Sequence, residues 1–140
     1  MTTVVDTNVI AALWDPRDIV NGAARTALDD ALDSGGLIVP APVFAELLAF
    51  PSRTEAFLNT FFRDTGITID WHVSEGVWRA AGRAFGNYAV RRRRQKGGAP
   101  RRILADFLIG AYADQNGHTL LTLDRGIYRA AFPKLKLTSW

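Results

Sequence analysis

Short continuous apolar runs alternate along this chain with apolar residues at helical spacing, a succession that predicts strands separated by helices. Residues 2 to 5 make a brief strand, and Asn8 to Trp14 a short helix that Asp15-Pro16 ends. From about Ile19 to Leu32, Ala23, Ala27, Leu28, Ala31 and Leu32 mark a second helix, stopped by Ser34-Gly35-Gly36. Leu37-Ile38-Val39 is the next strand. In Pro40-Ala41-Pro42 the second proline suits the first position of a helix carrying Val43, Phe44, Leu47 and Leu48, which Pro51 closes. Ser52 and Glu55 have capping-box spacing for a helix through Phe57, Leu58, Phe61 and Phe62, ended by Gly66. Ile67 to Trp71 alternates as a strand does. A long helix then runs from Ser74 through Trp78, Ala81, Phe85 and Tyr88 into a run of arginines. Ile103, Phe107, Leu108 and Ala111 mark a helix ended by Asn116-Gly117. A strand over 118 to 123, a short helix around Ile127 to Ala131 and a last strand at Leu135 to Thr138 follow. The alternation predicts an α/β fold, a three-layer α/β/α sandwich around a central, mostly parallel sheet. At 140 residues it is read as a single domain, with enough apolar side chains for one continuous core.

Composition narrows the chemistry. The chain has no cysteine, which excludes disulfides, thiol nucleophiles and thiolate metal sites. No apolar run approaches membrane-spanning length, and the N-terminus enters a strand without a basic segment and apolar core before it, so the expectation is a cytoplasmic protein without a secretory signal. The net charge of +3 hides an asymmetry. Residues 91 to 102 carry seven of the seventeen Lys and Arg and no acid, leaving ten bases against fourteen acids elsewhere, a net −4. A patch built from Arg91, Arg92, Arg93, Arg94, Lys96, Arg101 and Arg102 suits a polyphosphate, because each phosphate neutralised releases counterions. The alternative use of such a run is a solvated helix end followed by a loop, and Gly97-Gly98 and Pro100 favour a loop in either case.

Four acids stand out against this background. Asp6 follows the first strand, and Asp124 ends the apolar run 118 to 123; ligands of open α/β sheets gather beyond the carboxyl ends of strands. Glu46 and Asp106 sit inside Val43-Phe44-Ala45-Glu46-Leu47-Leu48 and Ile103-Leu104-Ala105-Asp106-Phe107-Leu108-Ile109, where an unpartnered charge is expensive. Taken singly, each acid has a structural use as a cap, a turn former or an exposed helical charge. Taken together, they would repel one another unless a cation neutralised them. Oxygen donors without thiolate or imidazole partners select hard cations, so Mg²⁺ is expected, with Mn²⁺ able to substitute. His72 and His118, at a strand-to-helix junction and a strand start, are read as structural. The reaction that follows is metal-assisted hydrolysis of a phosphodiester.

Val5-Asp6-Thr7-Asn8-Val9, Pro42 to Leu47, Ile103 to Ala111 and Leu121-Thr122-Leu123-Asp124, in this order over nearly the whole chain, resemble the motifs of the PIN-domain ribonucleases, and among them the VapC-type toxins of toxin–antitoxin pairs. The resemblance implies a PIN-like sandwich and a Mg²⁺-dependent endoribonuclease with metal-binding acids at Asp6, Glu46, Asp106 and Asp124. It implies that Thr7, Asn8 and Thr122 orient carboxylates or waters. It also implies an RNA substrate, a cognate VapB-type antitoxin and a homodimer. The aromatic-rich helices between Val43 and Phe62 offer an antitoxin groove over Phe44, Leu48, Phe57 and Phe61, with core packing as the competing use of each.

Three other readings compete. A nuclease of the same fold could serve housekeeping RNA processing, and the test is whether a small antitoxin gene lies beside its own. A receiver-like signalling domain also clusters acids around Mg²⁺ at strand ends, yet the chain lacks a lysine in the corresponding late-strand context and that reading leaves the arginines unexplained. A catalytically silent RNA-binding module would bind RNA equally with or without Mg²⁺.

Overall fold

The computed structural model describes residues 1–95 and 103–138; Lys96, Arg101 and Arg102 of the basic segment lie outside these. Among the described residues, the order is β1 (Thr3–Val5), α1 (Thr7–Trp14), α2 (Asn21–Ser34), β2 (Leu37–Pro40), α3 (Ala41–Leu47), α4 (Glu55–Thr65), β3 (Thr68–Asp70), α5 (Glu75–Arg94), α6 (Leu104–Gln115), β4 (Thr119–Leu121) and α7 (Arg125–Ala131). The four strands form one all-parallel sheet in the order β3-β2-β1-β4, flanked by the seven helices, as the alternating pattern predicts. Central β1 is buried at every residue, the pattern of a strand covered on both faces.

The strand order locates the site. From β1 the chain winds outward through β2 to β3, then crosses back to lay β4 on the other flank of β1, with Thr3 opposite Thr119 and Val5 opposite Leu121. The connections leave in opposite directions on either side of β1, so a crevice opens beyond the carboxyl ends of β1 and β4. Asp6 and Thr122 are the residues immediately past those two ends, and the Asp6 N–H donates to the Leu121 carbonyl at 2.9 Å across the gap.

Val4, Val5, Val39, Leu120 and Leu121 from the sheet, Val9 and Ile10 from α1, and Phe107 and Ile109 from α6 form the centre of the core. Helix α6 is buried continuously from Phe107 to Ala113, apolar on all sides as a central helix must be. Its Gly110 lets α7 approach closely: a Cβ there would press into the Phe132 ring and lie 3.0 Å from Tyr128 Cδ1. Gly110→Ala should therefore lower stability. Helix propensity favours Ala by up to about 1 kcal/mol, but overpacking costs about 1–3 kcal/mol, and urea unfolding should show a net loss. A gain in stability would mean that α6 and α7 can separate freely.

Several boundaries differ from the expectation. The last strand, Leu135 to Thr138, is reduced to one parallel bridge between Leu137 and Leu120. The second helix starts at Asn21 because residues 15–21 form successive turns, leaving Ile19 almost fully exposed. The capping residue of α4 is Thr54, whose hydroxyl accepts from Phe57 N–H at 3.1 Å, and not Ser52. Ser52 has φ 65°, a turn conformation incompatible with an extended N-cap. Helix α5 starts where expected, with the Ser74 hydroxyl as its cap, accepting from Val77 N–H at 3.3 Å. No helix of the described residues is long and apolar enough to cross a membrane.

Candidate functional site

A cavity of about 910 Å³ opens at the β1/β4 crevice, and Asp6, Glu46 and Asp106 all line it. Three elements deliver these acids: the end of β1, helix α3 and the first turn of α6. Each carboxylate is held by the local fold. The Thr122 hydroxyl donates to Asp6 Oδ2 at 2.7 Å and the Tyr128 hydroxyl to the same oxygen at 3.0 Å, so Oδ1 accepts from neither. Although Asp6 occupies the N-cap position of α1, its side chain makes no capping hydrogen bond, which removes the simplest structural use for it. Glu46 Oε1 accepts from the Thr7 hydroxyl at 2.6 Å. Asp106 Oδ2 accepts from Ile103 N–H at 3.4 Å, a long contact from the residue that starts its own helix.

Burial dominates the electrostatics, and repulsion between the acids adds to it. Asp6 is 4% exposed. Loss of solvent pushes its carboxyl up to about 6 against the lowering effect of the Thr122 and Tyr128 hydrogen bonds, and the charges of Asp106 and Glu46 push in the same direction as burial. Glu46 is raised as well, by burial first and by Asp106, with the Thr7 hydrogen bond opposing. The same three acids and burial drive the Tyr128 phenol upward, so that it stays a hydrogen-bond donor.

The other expected residues divide. Thr7 and Asn8 line the cavity with the acids. Thr122 is fully buried behind them, where its hydroxyl accepts from Asp124 N–H at 3.0 Å and contacts Asn8 Nδ2 at 3.5 Å; Asn8 Oδ1 accepts from Leu123 N–H at 3.2 Å. Asp124 is outside the cavity lining. Strand β4 ends at Leu121, two residues before the expected end, so Thr122 takes the place beside Asp6 and Asp124 becomes the N-cap position of α7. Arg91 to Arg94 occupy the last turn of α5, where positive charge complements the carbonyl end of the helix; Arg92 also reaches the Tyr88 hydroxyl at 3.4 Å. Phe57 and Phe61 pack edge-on against Trp14, while Phe44 contacts Phe62 and Trp71, and Leu48 packs at the core margin.

Tyr128 is a site residue that the sequence reading missed. The signal was present: a tyrosine in an apolar segment needs a partner for its hydroxyl. Asp15 and Asp18 also line the cavity, but their carboxylates accept from Arg17 N–H and Val20 N–H, each at 3.0 Å, within turns of their own.

The donors available to a cation are carboxylate and hydroxyl oxygens, and Asp6 and Glu46, whose proton affinity neighbouring acids raise, gain from a positive charge beside them. Among the described residues no three His, Cys, Asp or Glu side chains are gathered to hold an ion by themselves. A hard divalent cation held by oxygen donors of this kind would complete its coordination with water.

Comparison with known proteins agrees with this layout. A family model described as PIN domain matches residues 3–133. No curated protein matches the sequence. Solved structures do resemble it: VapBC2 from Rickettsia felis bound to a DNA fragment from their promoter (18% identity, TM-score 0.68, covering 100% of this chain and 99% of that one), and VapBC-1 from nontypeable Haemophilus influenzae (19%, 0.69, 100% and 98%). A third is VapC20 from Mycobacterium tuberculosis, a Sarcin-Ricin loop cleaving toxin (19%, 0.60, 96% and 98%).

Proposed function

Because the chain belongs to the PIN domain family, a family of nucleases, we propose that it is a Mg²⁺-dependent endoribonuclease and the toxin of a type II toxin–antitoxin pair. The observation that carries the reading is the set of three carboxylates from separate elements facing one cavity, where Asp106 and Glu46 add to the proton affinity of Asp6. Asp6, Glu46 and Asp106 would hold the cation directly or through water, with Asp124, outside the cavity lining, as the fourth acid of the set. When bound, the ion supplies a water of lowered pKa and stabilises the charge that builds on the phosphoryl and leaving oxygens.

The protein's own groups do the rest. Thr7 fixes the Glu46 carboxylate, and Thr122 and Tyr128 fix that of Asp6, so the charges face the cavity with little reorganisation. Asn8 holds the Thr122–Leu123 segment in place through its amide. Arg91 to Arg94, with Lys96, Arg101 and Arg102, would contact the RNA backbone, and Mn²⁺ would replace Mg²⁺. The toxin role draws on the kinship in fold with VapBC-1 and the promoter-bound VapBC2. It carries with it a VapB-type antitoxin lying over Phe44, Leu48, Phe57 and Phe61, a homodimer and a cytoplasmic setting.

The test is to incubate the purified, antitoxin-free chain with total RNA and map the cut ends. Discrete internal cuts are expected with Mg²⁺ or Mn²⁺ and none in EDTA. RNA left intact with both metals overturns the reading.

A further inference from the structure

Arg53 is the one base among the described residues that line the cavity, where the acids are Asp6, Asp15, Asp18, Glu46 and Asp106. Its guanidinium carbon lies 4.6 Å from the ring centroid of Trp14 and 4.6 Å from that of Phe57. Trp14 is itself clamped edge-on by Phe50, Phe57 and Phe61, at 6.1, 5.5 and 5.4 Å between centroids, and its indole N–H is buried with no acceptor among the described residues. The ring therefore presents its face and not its N–H. The turn that carries Arg53 is fixed too, through Arg53 N–H donating to the Phe50 carbonyl at 3.2 Å and through Ser52 at φ 65°. Among the described residues no carboxylate stands within 4 Å of the Arg53 guanidinium. An arginine beside five acids and yet ion-paired to none is held by the aromatic clamp, and its in-plane N–H groups keep their capacity for an anion.

The geometry points to Arg53 as a positioning residue that grips a backbone phosphate of single-stranded RNA at the mouth of the acid cavity. This deepens the nuclease reading and rests on it. A guanidinium is suited to the task because its fork of N–H groups meets two phosphate oxygens at once while its faces stay against aromatic rings. At this place it also offers attraction to a polyanion that the surrounding carboxylates would otherwise repel.

The test uses a fluorescent single-stranded oligoribonucleotide of mixed sequence, with Mg²⁺, in an Asp6→Asn background so that the probe is not consumed. Adding Arg53→Met keeps an apolar stem over the rings and removes the charge. Affinity should fall about tenfold and the dependence of log affinity on log salt should become shallower by about one, with the melting midpoint unchanged. Arg53→Lys should restore the slope and only part of the affinity. With the acids intact, Arg53→Met should raise KM about tenfold and leave kcat nearly unchanged. Equal affinity and slope overturn the assignment and leave a carboxylate of a protein partner as the occupant. A binding difference without RNA cleavage by the unsubstituted chain overturns the nuclease reading alone. No binding by the Asp6→Asn parent, together with an unchanged KM for Arg53→Met when the acids are intact, overturns the assignment of Arg53 alone.

Discussion

Asp6→Asn should reduce Mg²⁺-dependent RNA cleavage by more than about a hundredfold, beyond the ten- to hundredfold usual for groups that only orient a ligand, while leaving the fold intact. The replacement amide can still accept from Thr122 and Tyr128 through its oxygen, so the packing behind the site survives. What is lost is the negative charge delivered to the cavity. Initial rates on a mapped RNA site, with near-ultraviolet circular dichroism as the check on folding, measure the effect. Cleavage within a few fold of wild type would mean that Asp6 serves the fold and not the reaction.

The second large effect is on the stability of the metal-free protein. In the unfolded chain the Asp6 carboxyl titrates near 3.9, and in the folded protein burial and the neighbouring acids push it up to about 6. The folded state holds the proton more tightly. Its contribution is fully present below about pH 3.9 and is lost as pH rises through about 6. Two pH units correspond to something on the order of 3 kcal/mol, and Glu46 shifts in the same direction. Urea unfolding in EDTA should therefore show a more stable protein near pH 5 than near pH 8. Asp6→Asn should flatten that difference, and saturating Mg²⁺ should remove much of it by stabilising the ionised state. A wild-type profile that rises from pH 5 to pH 8 in EDTA would place Asp6 in a solvated setting, against its burial.

What the sequence could reveal follows from how local each signal is. Val4 and Val5 ahead of Asp6, and the apolar stretch around Asp106, announce both a buried element and a charge out of place within it, and the structure brings those acids with Glu46 to one cavity. The parallel sheet was legible for the same reason, since strands covered on both faces are continuously apolar. At Tyr128 the local segment announces only a hydroxyl in need of a partner; which partner it meets depends on an approach between α6 and α7 that Gly110 permits. The Arg53 clamp joins side chains 39 residues apart through a turn at Ser52. Asp124 looked like a strand-end acid because Thr122-Leu123 continue the β-rich run. The ladder with β1 closes at Val5 and Leu121, where β1 itself ends and leaves nothing for further residues to pair with.

The hydrogen bonds on Asp6 also set the order in which the site can exist. Asp6 is synthesised well before its supports, because the hydroxyls that hold its carboxylate belong to residues 116 and 122 positions later. Strand β1 can pair with β2 once residue 40 has emerged from the ribosome, so a growing chain can begin the sheet around an acid whose supports are not yet in place. The completed arrangement waits for β4 and α7, which follow all the other described elements in chain order. Truncated chains lacking these elements would carry Asp6 and Glu46 without the hydroxyls of Thr122 and Tyr128 that hold the Asp6 carboxylate in place.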